Sequence, residues 1–229
     1  MKIAILISGR GTNLQALIDA CAAPAFPGEI AIVVSNVPGA AGLERARAAG
    51  IETRTVDHRA HADRPTFEDA LHDVLTQSGA ELVCLAGFMR LLTAVFVDRW
   101  RDRLINIHPS LLPSYKGLDT HRRALADGVR LTGCTVHFVR PDMDAGPIIV
   151  QAAVPVRDGD DEDSLAARVL AAEHRCFPLA VRLIVEGRVS VTDERVTIQG
   201  AFAPDDLLIN PMAEVTTSTT PSDTVRSAL

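Results

Sequence analysis

The opening stretch Met1 to Ala20, MKIAILISGRGTNLQALIDA, carries the reading of the fold. Lys2 to Ile7 is an isoleucine-rich apolar run, the composition of a strand buried on both faces. Ser8-Gly9-Arg10-Gly11-Thr12-Asn13 interrupts it with turn residues, and Leu14, Leu17, Ile18 and Cys21 then recur at helical spacing. Strand, glycine turn and helix in that order open an α/β unit.

Working outward, the pattern repeats. Glu29 to Val34 and Glu52 to Val56 read as strands, with a short Arg/Ala-rich helix from about Gly42 to Ala49 between them. Asp63 to Gln77 is an amphipathic helix, Glu81 to Ala86 a strand, and Phe88 to Trp100 a helix with Leu91, Leu92, Val95, Phe96 and Trp100 as its buried stripe. Leu104 to Ile107 is a strand, Pro109 to Leu118 a loop and Thr120 to Asp127 a short helix. Gly133 to Val139 and Pro147 to Val154 are further strands, Asp163 to Glu186 is a long helix with a possible bend at Pro178, and Arg188 to Thr192 with Arg195 to Ile198 make a hairpin. The expected fold class is α/β: a doubly wound, mostly parallel sheet with helices on both faces, Rossmann-like in its N-terminal half, with antiparallel strands towards the C-terminus. Residues 1–200 are expected to form one catalytic domain. Residues 201–229, ending in a Ser/Thr-rich segment without apolar periodicity, are expected to be a disordered tail.

Composition narrows the function classes. The 229 residues are 47% apolar, enough for a sizeable core, and no apolar run is long enough to span a membrane as a helix. The turn at Ser8 cuts short any signal-peptide core, so a cytoplasmic location is expected. Lys plus Arg number 23 against 29 Asp plus Glu, a net charge of −6, with no basic stripe. Nucleic-acid and membrane partners are therefore not expected, and small-molecule substrates are. Cys21, Cys84, Cys134 and Cys176 are scattered without a CxxC pair, which reads as free thiols with no metal site.

Chemistry is concentrated in four places. In Leu104 to Pro113, LINIHPSLLP, an Asn-x-His pair stands where a strand ends between two prolines. Asn106 and His108 are thereby presented at a carboxyl edge, where open α/β sheets bind ligands. Asp142-Met143-Asp144-Ala145-Gly146 is a loop whose carboxylate is placed to face His108 and favour its imidazolium form. The turn Gly9 to Asn13 fits a phosphate cradle at a helix N-terminus, and equally a tight connection with no ligand. Gly87-Phe88-Met89-Arg90-Leu91-Leu92 fits a helix stripe, with Gly87 as an opening for a flat heteroaromatic ring. His137, among strand residues, reads alone as a core histidine.

Taken in order, ISGRGTNLQALIDA, VSNVPGAAGLERARAAGI, LAGFMRLL, LINIHPSLLPSYKGLDTHRRAL, GCTVHFVRPDMDAGPIIVQ and EHRCFPLAVR resemble the phosphoribosylglycinamide formyltransferase family, folate-dependent enzymes of purine synthesis. The resemblance implies transfer of the formyl group of 10-formyltetrahydrofolate, a co-substrate, to the amine of glycinamide ribonucleotide. It implies catalytic roles for Asn106, His108 and Asp144, and phosphate binding by the backbone of Gly11, Thr12 and Asn13. Glu173 is implied to bind the ribose hydroxyls. Arg64, Met89, Arg90, Leu91, Leu92, Asn106, Arg140, Pro141, Asp142, Met143 and Asp144 are implied to contact the folate. Leu170 departs from the family pattern, standing where relatives carry a polar, phosphate-contacting side chain. The related methionyl-tRNA formyltransferases carry a further C-terminal domain and a basic RNA face, and the formyltetrahydrofolate hydrolases a further N-terminal domain. A non-catalytic phosphate-binding module leaves Asn106, His108 and Asp144 without a role.

Overall fold

The computed structural model describes residues 1–201 and 208–211. Most of the tail expected from residue 201 onward lies outside the described residues. In chain order the elements are β1 (Lys2–Ile7), α1 (Thr12–Cys21), β2 (Glu29–Ser35), α2 (Ala41–Ala48), β3 (Thr53–Thr55), α3 (Arg64–Gln77), β4 (Leu82–Leu85) and α4 (Ala94–Arg99). There follow β5 (Leu104–His108), α5 (Thr120–Ala126), β6 (Leu131–Phe138), β7 (Ile148–Pro155), α6 (Glu162–Val185) and the hairpin β8 (Val189–Thr192) with β9 (Arg195–Ile198).

A seven-stranded sheet has the order β3-β2-β1-β4-β5-β6-β7. The pairs from β3 to β5 are parallel, and β5–β6 and β6–β7 are antiparallel. The sheet is therefore doubly wound, with its order reversing between β1 and β4. A crevice opens at the carboxyl ends of strands where the order reverses.

Alternation along β1 sends Ile3, Ile5 and Ile7 into one core and Ala4 and Leu6 into the other. The first core is closed by α1, α2 and α6 through Leu14, Leu17, Leu43, Phe177 and Val181, the second by α3 and α4 through Phe67, Leu71, Leu75, Phe96 and Trp100. A strand buried on both faces has no polar side to alternate with, which is why the buried part of β1, Ile3 to Ile7, is apolar throughout. Cys84, Cys134 and Cys176 are buried and Cys21 half-buried, all as free thiols.

Local signals set the helix starts. Asp63 and Asp161 each accept from the amide three residues on, while Thr66 and Ser164 reach back to close capping boxes. Pro178 sits inside α6, which continues through it to Val185. At the first turn, Gly11 adopts φ 71°, and a Cβ there would lie 2.7 Å from the Gly42 Cα. The turn is glycine both for its left-handed backbone and because α2 packs directly on it.

One expected helix is corrected. Phe88 to Trp100 is not helical throughout: Phe88 to Leu92 is irregular and α4 begins only at Ala94. Leu91 and Val95 are exposed rather than part of a buried stripe, and Phe96, Val97 and Trp100 carry the packing. The backbone there is drawn away from helical bonding. Met89 N–H donates to Ser8 Oγ at 2.8 Å, and the Thr93 N–H and hydroxyl both donate to the buried Glu68 carboxylate. Thr93 Oγ1 in turn accepts from Phe96 N–H and starts the helix late.

Candidate active site

β5 places its polar residues by strand geometry. Ile105 and Ile107 face the first core, so Leu104, Asn106 and His108 share the opposite face. Asn106 is half-buried and His108 buried, both against a cavity of about 660 Å³. Antiparallel pairing sets His137 of β6 directly opposite Asn106. The Asp144 loop returns over the same face, pinned at its end by Gly146, where a Cβ would sit 1.8 Å from the Phe138 carbonyl oxygen.

The polar groups interlock. His108 Nδ1 lies 3.4 Å from Asp144 Oδ2, and His108 Nε2 is 2.9 Å from the Tyr115 carbonyl oxygen. Both ring nitrogens thus face oxygen acceptors, and only an imidazolium donates to both. Asp144 Oδ2 also accepts from Gly117 N–H at 2.8 Å. Asp144 itself has φ 48°, a left-handed backbone that Asp tolerates better than most residues. Burial lowers the pKa of His137, which favours its neutral ring. With Nδ1 donating to the Phe138 carbonyl at 2.9 Å, Nε2 keeps its lone pair and accepts from Asn106 Nδ2 at 3.3 Å. That contact sets which way the Asn106 amide faces. His137 is a satisfied core histidine, as its sequence context suggests, yet it also lines the cavity. The signal that would have exposed it is its register opposite Asn106, which becomes visible only once the strands are paired.

The far end of the cavity is built by α1 and α6. Asn13 Nδ2 donates to Glu173 Oε2 at 2.8 Å across 160 residues of sequence, and both residues line the cavity. Glu173 is 6% exposed, and burial pushes its carboxyl up to about 7 despite the Asn13 hydrogen bond. Asn13 Oδ1 is buried without a partner among the described residues. No side chain caps α1 at Gly11, which leaves its first-turn amides without a side-chain partner; of the three residues expected at the phosphate, Asn13 lines the cavity and Gly11 and Thr12 do not. Leu170 is half-buried on α6, one turn before Glu173.

Between the two ends, Met89, Arg90, Leu91, Leu92, Pro141 and Met143 line the apolar wall. Met89, Leu91 and Met143 are exposed apolar side chains at the cavity. Three expected contacts stand apart. Arg64 is the exposed first residue of α3 and does not line the cavity, because the Asp63 cap fixes the helix start there. Asp142 is exposed and outside the lining. Arg140 borders the cavity, but its guanidinium is spent elsewhere: Nε donates to Glu194 at 2.5 Å, Nη2 to Asp102 at 2.6 Å and Nη1 to the Val139 carbonyl at 3.1 Å. Among the described residues no group of three or more His, Cys, Asp or Glu is arranged to hold a metal ion.

Comparison with known proteins agrees with this architecture. The family model described as formyl transferase matches residues 1–181. The chain is 45% identical over 204 residues to phosphoribosylglycinamide formyltransferase of Escherichia coli (strain K12), covering 89% of this chain and 96% of that protein. It is 52% identical over 191 residues to the trifunctional purine biosynthetic protein adenosine-3 of Gallus gallus, covering 83% of this chain but 19% of that protein. The chain thus spans about a fifth of the length of the trifunctional relative. The crystal structure of glycinamide ribonucleotide transformylase 1 from Symbiobacterium toebii superposes with a TM-score of 0.84 at 49% identity, over 86% of this chain and 93% of that one. With the family model covering most of its length and the Asn106, His108 and Asp144 cluster at the crevice of a doubly wound sheet, the chain belongs to the formyl transferase family.

Proposed function

We propose that this protein transfers the formyl group of 10-formyltetrahydrofolate to the amine of glycinamide ribonucleotide, within purine biosynthesis. The observation that carries the reading is one cavity joining Asn106, His108 and Asp144 at one end to Asn13 and Glu173 at the other. Residues 1–200 act as a single catalytic domain in this reading, since both hydrophobic cores lie against one sheet. The proposed setting is the cytoplasm, with small-molecule substrates and neither nucleic acid nor membrane as partner. No helix among the described residues is long and apolar enough to cross a membrane.

The chemistry follows from what each end offers. The amine attacks the formyl carbon, the carbonyl oxygen gains negative charge, and the bond to the folate nitrogen then breaks as that nitrogen gains a proton and the attacking amine, now cationic, gives one up, so that no net proton is consumed. Asn106 and His108 donate hydrogen bonds to the charged oxygen, the electrostatic term that acyl transfer needs most. His108 supplies the proton to the leaving nitrogen, and Asp144, 3.4 Å from its Nδ1, orients the ring. The apolar wall from Met89 to Leu92, with Pro141, Met143 and Asp144, receives the pterin. The amides of Gly11, Thr12 and Asn13, at the start of a helix without a side-chain cap, hold the ribonucleotide phosphate, and Glu173 accepts from the ribose hydroxyls.

The test is a spectrophotometric transfer assay with 10-formyl-dideazafolate, with and without glycinamide ribonucleotide. Absorbance change that depends on the ribonucleotide supports the reading, and equal deformylation without it replaces the reading with a hydrolase. No turnover in either condition refutes both.

A pH dependence follows from Glu173. Its carboxyl titrates near 7 when buried, and ribose hydroxyls donate only to favour the ionised form. Ribonucleotide affinity should therefore rise as pH rises, by roughly tenfold between pH 6 and pH 8, as one proton's linkage to binding dictates. The phosphate's own second ionisation, near pH 6, adds a smaller change of the same sign. Calorimetric titration at both pH values should show the larger part of the dependence vanish in Glu173→Gln. A Glu173→Gln profile identical to wild type rejects the assignment.

A further inference from the structure

The hairpin β8–β9 lies beyond the residues matched by the family model, yet its tip bonds Arg140, which lines the cavity. Asp193 and Glu194 form that tip, both with left-handed backbones at φ 49° and 57°. A two-residue hairpin turn with two positive φ values ordinarily selects Asn-Gly or Asp-Gly. Glutamate is a poor choice for that backbone, so its side chain is where a reason for it should be sought. The carboxylate of Glu194 accepts from Arg140 Nε and from Arg101 Nη2, each at 2.5 Å. Arg140 Nη2 goes on to Asp102, itself left-handed at φ 57°, in the turn before β5.

Three separate parts of the chain thus meet at one guanidinium whose side chain is 8% exposed. Arg140 is also the first residue of the loop that carries Asp144 to His108. A nearly buried guanidinium must keep its partners, because leaving it unpaired costs far more than a surface ion pair contributes. Its fork geometry further fixes orientation as well as position.

We propose that Glu194 is a positioning residue: through Arg140 it holds the Arg140–Gly146 loop as the folate wall and keeps Asp144 aligned with His108. The kinetic part of this inference rests on the transferase reading. The geometric part does not.

The decisive variant is Glu194→Gly. Glycine suits a φ of 57° and so spares the hairpin, while Arg140 loses one of its two carboxylate partners and keeps Asp102. Steady-state kinetics should show the KM for the folate raised by about 5- to 30-fold, the factor that one or two kcal/mol represents. The KM for the ribonucleotide should stay within about twofold while kcat falls as Asp144 loses its alignment with His108, a pattern that general loss of folded protein, which leaves both KM values unchanged, does not produce. Hydrogen exchange should quicken at two amides that report the loop: Val139, bonded to the Leu104 carbonyl, and Gly117, bonded to Asp144 Oδ2. Glu194→Gln, which retains an acceptor for Arg140, should restore most of the folate KM. A folate KM for Glu194→Gly within twofold of wild type overturns the proposal. If the wild-type protein transfers no formyl group, the functional reading fails instead. The exchange rates then decide alone, faster exchange at both amides supporting the positioning role and unchanged rates refuting it.

Discussion

Replacing His108 by alanine should lower kcat by about 10²- to 10⁴-fold, the range that positioned proton transfer contributes. The imidazole faces the Asp144 carboxylate at 3.4 Å and shares a strand face with the Asn106 amide. Removing it takes away a proton donor and a hydrogen-bond donor to the developing oxyanion together. Ribonucleotide binding should hold, because Asn13 and Glu173 bind each other on different elements at the other end of the cavity. Asp144→Asn should act in the same direction, since an amide replaces the carboxylate that orients the ring. The double variant should fall little further than His108→Ala alone, as expected for residues that act as a unit. Steady-state kinetics paired with calorimetric binding of the ribonucleotide makes the check. Near wild-type turnover in His108→Ala would exclude the proposed role.

The second large effect is on stability. Phe177 is fully buried on α6 and belongs to the core that α1, α2 and α6 close over the sheet. Phe177→Ala should cost about 3–5 kcal/mol, combining lost apolar transfer with the cavity left behind. For a domain of this size each kcal/mol shifts the midpoint by roughly 2–4 °C, so thermal unfolding should move down by about 6–20 °C. Phe177 lies one turn beyond Glu173 on the same helix stripe. Any slack in the packing is therefore expected to appear in ribonucleotide affinity before it appears in kcat. A midpoint within 2 °C of wild type would mean that the neighbouring side chains collapse into the space, against the close packing described above.

Local sequence carried most of the elements and one half of the site. Asn106 and His108 are two residues apart, and a strand puts residues two apart on one face, so their partnership needs nothing beyond the strand itself. The loop from Asp142 to Gly146 was visible as a turn between strands. That Asp144 rather than Asp142 faces His108 depends on how the loop folds back. Phe88 to Trp100 shows where local reading fails. Its apolar spacing suits a helix, but Ser8 and Glu68 claim the backbone groups of Met89 and Thr93 from 81 and 25 residues away. Periodicity records where apolar side chains recur, and it holds no information about competing acceptors on other elements.

Arg140 and Arg64 make the same point for charged residues. Both belong to the folate contacts that the resemblance implies, and their identity says only that they can donate. Arg140 has its donors committed to Asp102, Glu194 and a backbone carbonyl, while Arg64 stands at an exposed helix start. His137 is the converse, an unremarkable strand residue that pairing across β5–β6 turns into the partner of Asn106.

By itself, then, the sequence determined the alternation of strands and helices, the glycine turn at the first helix and the Asn-x-His strand end. All of these follow from hydrophobic period and backbone preference within a few residues. Tertiary structure alone decided the Asn13–Glu173 contact, the orientation of Asn106 by His137 and the clamp on Arg140. Each joins residues from separate elements, and only the packing of the sheet and its helices fixes the distances between them.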